Sequence, residues 1–293
     1  MEGLRAFLEL LALVGLGCVA RRVGALGEEA PSHLNAYVVY LAMPALVFAT
    51  VARLPPGKVV RYALLVLVSV GVASVCCLVG YGVGRWVGLD RRDAVAVGLA
   101  SGLGNTGFLG YPVCLSVLGR GGLEAAVFYD FGTTLSVIGA YLLLARGGCP
   151  LRMSLRFPPA FAALAGIVWA LLRLPLPGVA RHALETLGAS AVPVIMVSLG
   201  ASLRWEVAVG RALPVVWGVK LGLSPVLGWL VGPSGWECRV VVLEAAMPPA
   251  LMNLVLAELL ELRPHVVATL VFTTTVVALV TVPVVVWWLG GSR

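Results

Sequence analysis

Long apolar runs, separated by short polar stretches, make up most of the chain. Ten runs can be marked, at about 3–20, 33–52, 60–86, 93–118, 123–145, 159–173, 183–203, 212–231, 236–260 and 265–289. Most are close to the about 20 residues that a helix needs to cross a bilayer. The separators carry proline, glycine and charge, as in Leu89-Asp90-Arg91-Arg92. This pattern predicts an all-α membrane protein with ten transmembrane helices.

Composition supports the same class. Of the 293 residues, 60% are hydrophobic and only 12% are charged, whereas soluble domains carry about 25% charged residues. A soluble enzyme and a disordered chain are therefore both excluded. The chain also lacks HExxH, GxSxG and P-loop motifs, so we predict a multi-pass protein of the cell membrane that is not an enzyme.

The net charge is +7, but the arginines stand singly or in pairs between apolar runs, as in Arg21-Arg22. We interpret them as loop charges beside lipid headgroups and predict no nucleic-acid partner. Leu4 to Ala20 is followed by this basic pair, which is the reverse of a signal peptide, so a first transmembrane helix is predicted. A slight excess of arginine in alternate loops favours an outside N-terminus.

The segment 146–158 divides the chain into 1–145 and 159–293, with five apolar runs on each side. An odd number of crossings would give two inverted five-helix repeats. The fourth run of each half is interrupted, near 104–112 and near 247–250. Interrupted helices at matching positions of inverted halves mark the site of many transporters. Glycine and proline are also common in membrane helices generally, which is the competing interpretation.

A break leaves the N-terminal end of a half-helix inside the membrane, where its free N–H groups attract anions. We expect two such ends, one after Pro112 and one after Pro249. Amide side chains beside them could contact substrate or only cap the broken backbone. The candidate substrate-binding residues are Asn105, Thr106, Gly107, Pro112, Pro248, Pro249 and Asn253.

Three charged residues fall inside apolar runs: Asp130, Lys220 and Glu244. A charge at the bilayer centre costs about 2.5–3.5 kcal/mol on insertion scales, so each is a candidate for carrying ion or proton coupling. The alternatives are an internal ion pair, or a position nearer the headgroups. No metal site and no cofactor is predicted beyond a coupling proton or sodium ion.

Several of these stretches resemble the auxin efflux carrier family, which includes malonate and malate carriers. They are Leu41 to Phe48 with its Met43-Pro44, Gly104 to Pro112, Ala125 to Asp130, Pro193 to Leu203, and Ala246 to Ala250 with Ala257-Glu258. The resemblance implies ten helices in two inverted repeats whose fourth helices cross at their breaks, as in sodium/proton antiporters and bile-acid symporters. It also implies an outside N-terminus, elevator-like alternating access and a homodimer.

Together these features predict a secondary transporter or uniporter of small organic anions, with carboxylates as the expected class. A sodium-coupled symporter or cation antiporter on the same scaffold is the first alternative. A membrane sensor that binds ligand without transporting it is the second. Substrate binding that depends on sodium would distinguish the first alternative from anion transport. The absence of flux in reconstituted vesicles would distinguish the second.

Overall fold

A computed structural model describes residues 2–144, 158–202 and 210–291. Within these ranges the chain is helical, with one isolated bridge between Gly104 and Pro249 and no strand. The all-α prediction is therefore confirmed. The helices are α1 (Glu2–Arg22), α2 (Ala30–Tyr37), α3 (Met43–Val51), α4 (Pro56–Trp86), α5 (Arg91–Gly102), α6 (Tyr111–Leu144), α7 (Pro158–Leu171), α8 (Gly178–Ala189), α9 (Ala191–Ser202), α10 (Ala212–Val216), α11 (Ser224–Val231), α12 (Glu237–Ala245), α13 (Met252–Leu259) and α14 (Pro264–Gly291).

Six helical stretches of the described chain are long and apolar enough to cross a membrane. They are Ala30–Val51, Pro56–Trp86, Thr106–Leu144, Gly178–Ser202, Ala212–Val231 and Pro264–Gly290. Each coincides with a predicted apolar run or with two consecutive ones, which establishes a multi-pass membrane protein. Of the predicted connecting segment 146–158, residues 146–157 lie outside the described ranges.

Three of the helical stretches contain π-helical turns, and each turn ends two residues before a proline. The turns are Val38–Ala42, Thr106–Gly110 and Trp217–Leu223, and the prolines are Pro44, Pro112 and Pro225. Proline has no N–H, and its ring collides with the carbonyl one turn earlier. A wider π turn relieves that conflict and lets the helix continue. Pro112 is therefore accommodated within a helix and does not end one.

The chain forms two compact units. Unit 2 contains residues 5–64 and 158–202, and in it α1 lies directly against α9. A Cβ at Gly200 would be 1.9 Å from the carbonyl oxygen of Val14, so only glycine permits this approach. Arg53 and Glu185 form an ion pair in the same unit.

Unit 1 contains residues 65–144 and 210–291. Its apolar core brings α4, α5, α10 and α14 together through buried side chains such as Val72, Val97, Val216 and Leu270. Beside this core, α12 packs against α6 and α11. Both interrupted runs and all three intramembrane charges belong to unit 1, so this unit holds the candidate site.

Candidate functional site

The two interrupted helices meet at their breaks. The backbone N–H of Asn105 donates to the carbonyl of Pro248 at 2.7 Å, and that of Ala250 donates to Leu103 at 2.9 Å. Gly104 and Pro249 form an antiparallel bridge between these bonds. Broken backbone inside a membrane must be satisfied within the protein, and here each break supplies partners for the other.

The half-helices begin close to this crossing. After the second break, α13 begins at Met252, which agrees with the predicted end after Pro249. After the first break, helical structure resumes at Thr106, so the predicted end after Pro112 is wrong. Because the π turn accommodates Pro112, the chain is helical through this proline and the free N–H groups lie one turn and a half earlier.

The two asparagines at the crossing have different environments. The Asn253 amide donates to the carbonyls of Leu103, at 3.1 Å, and Ala250, at 3.0 Å, and therefore caps both breaks. The side chain of Asn105 makes no capping bond and no hydrogen bond to any other residue that the structure describes. It remains free to contact a ligand.

Lys220 brings a positive charge to the crossing. It lies in the third π turn and is only 2% exposed. A Cβ on Gly104 would lie 2.8 Å from its Nζ. Within the described ranges, no acidic side chain forms a salt bridge with this ammonium group. An unpaired buried charge is costly, which marks Lys220 as a candidate anion-binding group.

Asp130, on α6, anchors the start of the first half-helix. It accepts hydrogen bonds from the hydroxyl of Thr106 and, at 2.7 Å, from that of Tyr111. Gly107 lies beside it, since a Cβ there would be 3.5 Å from Oδ2. The Thr106 hydroxyl is therefore already committed to Asp130, and a ligand would meet this residue through its backbone.

Glu244, on α12, is fully buried. Its Oε1 accepts a hydrogen bond from the Cys114 thiol at 3.3 Å, whereas its Oε2 has no partner among the described residues. A Cβ at Gly110 would lie 2.1 Å from Oε2. The absence of a side chain at position 110 thus makes room for this carboxyl group.

Gly104, Gly107 and Gly110 form a glycine row, in which each member faces one intramembrane charge. Lys220 faces the first, Asp130 the second and Glu244 the third. Gly107 and Gly110 lie in the π turn, whereas Gly104 lies in the break before it. The sequence analysis marked the charges and Gly107 but missed Gly104 and Gly110, as well as Tyr111 and Cys114. The repeated Gly-x-x-Gly spacing was the available signal.

The three buried prolines contribute position and backbone. Pro248 supplies the carbonyl that receives the Asn105 N–H, and Pro249 forms the bridge with Gly104. Pro112 is the second residue of α6. No group of three or more His, Cys, Asp or Glu side chains in the described chain could hold a metal ion.

One end of unit 1 carries an arginine network outside the apolar runs. Arg263 contacts Asp90 at 2.7 Å and Asp93 at 2.6 Å, and Arg211 donates to the carbonyl of Val87 at 3.2 Å. The pKa of Asp90 is lowered, mainly because the backbone N–H of Asp93 donates to its carboxylate, with a further contribution from Arg263. Segments 87–93, 211 and 263 therefore share one end of the unit.

Comparison with known proteins gives the family of the chain. A family model described as membrane transport protein matches residues 3–149 and 147–286. An uncharacterized transporter of Methanothermobacter thermautotrophicus is 34% identical over 97% of both chains. One of Methanocaldococcus jannaschii is 32% identical over 95% of this chain and 96% of the relative.

A third relative, from Rhizobium meliloti, carries the name "Putative malonate transporter" and is 26% identical over 94% of this chain and 92% of its own. These matches cover almost the whole sequence, including both breaks and all three intramembrane charges. They agree with the resemblance stated above, and the chain belongs to the membrane transport protein family of auxin efflux carrier permeases.

Proposed function

We propose that the protein transports small organic anions with carboxylate groups by alternating access, and that the anion binds at the crossing of the two interrupted helices. One observation carries the proposal. A buried ammonium group, that of Lys220, lies against the paired breaks, and in the described chain no carboxylate forms a salt bridge with it, although Glu244 acts on it through space. An anion would supply the missing charge.

The surroundings of Lys220 also suit a carboxylate. Half-helices begin at Thr106 and Met252, and helix N-termini favour negative charge. Asn105 offers a free amide that can donate to a carboxylate oxygen. The name of the Rhizobium meliloti relative makes malonate the natural first probe, since each of its two carboxylates could engage one of these groups.

The proposed architecture is ten crossings in two inverted repeats, 1–145 and 159–293, joined by 146–158. Its support is that the interrupted runs, at matching positions of the two halves, pair at their breaks. The arginine network supports it as well. The loops after the third, seventh and ninth runs contribute to one end of unit 1, as ten alternating crossings require.

The same arginines suggest the orientation. If the end with Arg211 and Arg263 faces the cytoplasm, as the positive-inside rule favours, both chain termini lie outside the cell membrane. We expect alkaline phosphatase fused after residue 293 to be active and green fluorescent protein fused there to be dark. Fusions that truncate the chain after Gly88 should show the opposite result. A fluorescent C-terminal fusion would contradict this orientation.

Direction and coupling follow from charge. A potential of 100 mV, inside negative, drives export of an anion by about 2.3 kcal/mol per charge. Export can therefore proceed as uniport, whereas uptake needs a coupled proton or sodium ion.

The function is tested with purified protein in two assays. Malonate should raise the unfolding temperature, because a ligand that binds only the folded state stabilises it. In proteoliposomes, internal unlabelled malonate should drive uptake of labelled malonate. Binding that requires sodium would favour a sodium-coupled symporter, and binding without exchange would favour a sensor. The proposal would be refuted if no carboxylate of a panel showed either binding or exchange.

Asn105→Ala tests the binding residue whose side chain is free. A hydrogen bond to a charged group contributes about 1.5–3 kcal/mol, so we expect malonate affinity to fall at least about tenfold. The affinity can be measured by titrating the thermal shift. Asn35→Ala in unit 2 is the matched control and should bind malonate as the wild type does. Unchanged affinity in Asn105→Ala would remove this residue from the site.

A further inference from the structure

The two carboxyl groups beside the first half-helix, those of Asp130 and Glu244, differ in the hydrogen bonds that they accept. Both oxygens of Asp130 accept hydrogen bonds from hydroxyl groups, those of Thr106 and Tyr111. Glu244 has one bond from a thiol, and its Oε2 is buried without a partner. Thiols are weak donors, so the surroundings of Glu244 stabilise a carboxylate far less than those of Asp130.

Most of the charge around Glu244 points the same way, and only Lys220 favours the ionised form. Removing an isolated carboxylate from water costs several kcal/mol, and two neighbouring carboxyl groups resist being ionised together. The ionisable groups that interact with Glu244 are Asp130, Tyr111, Tyr129 and Cys114 on α6 and Lys220 in the third π turn. The Ser224–Val231 helix and the Thr106–Gly110 turn, which also pack on α12, contain no ionisable side chain, and α14 carries only His265.

Gly110 connects this carboxyl group to the anion site. The π turn Thr106–Gly110 begins beside the crossing and ends against Glu244, with Gly110 in contact with Oε2. A change in charge at Glu244 therefore acts on the same turn whose N-terminal end would face the anion. Movement of this turn on anion binding would in turn change the space available to the carboxyl group.

From this geometry we propose that Glu244 is the proton-carrying group of the transporter and that Asp130 is structural. The proposal rests on the anion-transport function proposed above. Glu244 is a neutral acid while the anion is bound and the site is closed. When the site opens to the opposite side, its O–H bond breaks and the proton passes to water. Protonation from the original side precedes the next transport step, so each anion moves with one proton.

The test compares two kinds of malonate flux in proteoliposomes. Exchange of labelled for unlabelled malonate needs no net proton movement, whereas accumulation against a gradient, driven by an acidic exterior, does. Glu244→Gln is a fixed neutral mimic of the acid. We expect its exchange rate to stay within about threefold of wild type and its pH-driven accumulation to fall at least about tenfold. Glu261→Gln, an exposed carboxyl of the same unit, should keep both fluxes.

Asp130→Asn gives the second comparison and should retain pH-driven accumulation. Accumulation that persists in Glu244→Gln, or is lost only in Asp130→Asn, would overturn the assignment. Gly110→Ala keeps both carboxyl groups but crowds Oε2, so it should move the pH at which accumulation is half-maximal. An unchanged pH profile in that variant would also count against the proposal.

Wild-type protein provides a measurement that does not depend on whether a variant folds. A pH-sensitive dye trapped in the vesicles should report acidification during malonate uptake. Net malonate uptake into malonate-free vesicles without acidification would refute proton coupling and leave the anion function intact. Absence of both binding and exchange for every carboxylate of the panel would refute the anion function itself.

Discussion

Replacing Lys220 by methionine is expected to weaken malonate binding by about 10- to 100-fold, the equivalent of about 1.5–3 kcal/mol for a lost charge-assisted hydrogen bond. The ligand-free protein should meanwhile become no less stable. Lys220 is buried without a salt-bridge partner in the described chain, and an apolar side chain of similar length avoids the cost of burying that charge. Thermal unfolding with and without malonate measures both effects.

The opposite signs of these two effects make the experiment specific. If Lys220 were structural, its replacement would make the protein less stable. If it binds the anion, its replacement lowers the affinity for malonate while the stability of the protein stays the same or rises. Lys58, on the exposed start of α4, is the matched control, and Lys58→Met should leave malonate affinity unchanged. Wild-type affinity in Lys220→Met would remove the ammonium group from the proposed site.

The apolar pattern predicted the helices well, because the length of an apolar run is a local property. The run at 33–52 corresponds to the helical stretch Ala30–Val51, and the run at 212–231 to Ala212–Val231. The positions of Asp130, Lys220 and Glu244 inside apolar runs were equally readable, and all three are buried. The penalty for a charge in lipid holds whatever the tertiary contacts are.

The interior of the crossing was less predictable, because it depends on contacts between residues that are distant in sequence. Pro112 suggested a helix end, but a π turn absorbs it and the break lies before Thr106. The Nδ2 group of Asn253 caps broken backbone, whereas the side chain of Asn105 makes no capping bond, and no local signal distinguishes the two. Contact between Gly110 and Glu244 joins two runs that only folding brings together.

Asp130→Ala should produce the largest loss of stability, a decrease of about 2–4 kcal/mol in the free energy of unfolding. The substitution removes the acceptor for the buried hydroxyls of Thr106 and Tyr111, and each unsatisfied buried group costs about 1–3 kcal/mol. It also releases Thr106, at the start of the first half-helix, from the later part of α6, which follows the kink at Gly119. Denaturant titration in mixed micelles can measure the difference.

Two milder variants separate the hydrogen bonds from the volume of the side chain. Asp130→Asn keeps the shape and can still bond both hydroxyls, but bonds to a neutral group are about half as strong, so we expect a loss of about 1–2 kcal/mol. Tyr111→Phe removes one donor and leaves the Thr106 bond, so its cost should lie below that of Asp130→Ala. If Asp130→Asn lowered the free energy of unfolding as much as Asp130→Ala, the negative charge itself would hold the half-helix in place. A carboxylate stabilised that strongly in its ionised form would release and bind a proton less readily, which would agree with assigning the coupling proton to Glu244.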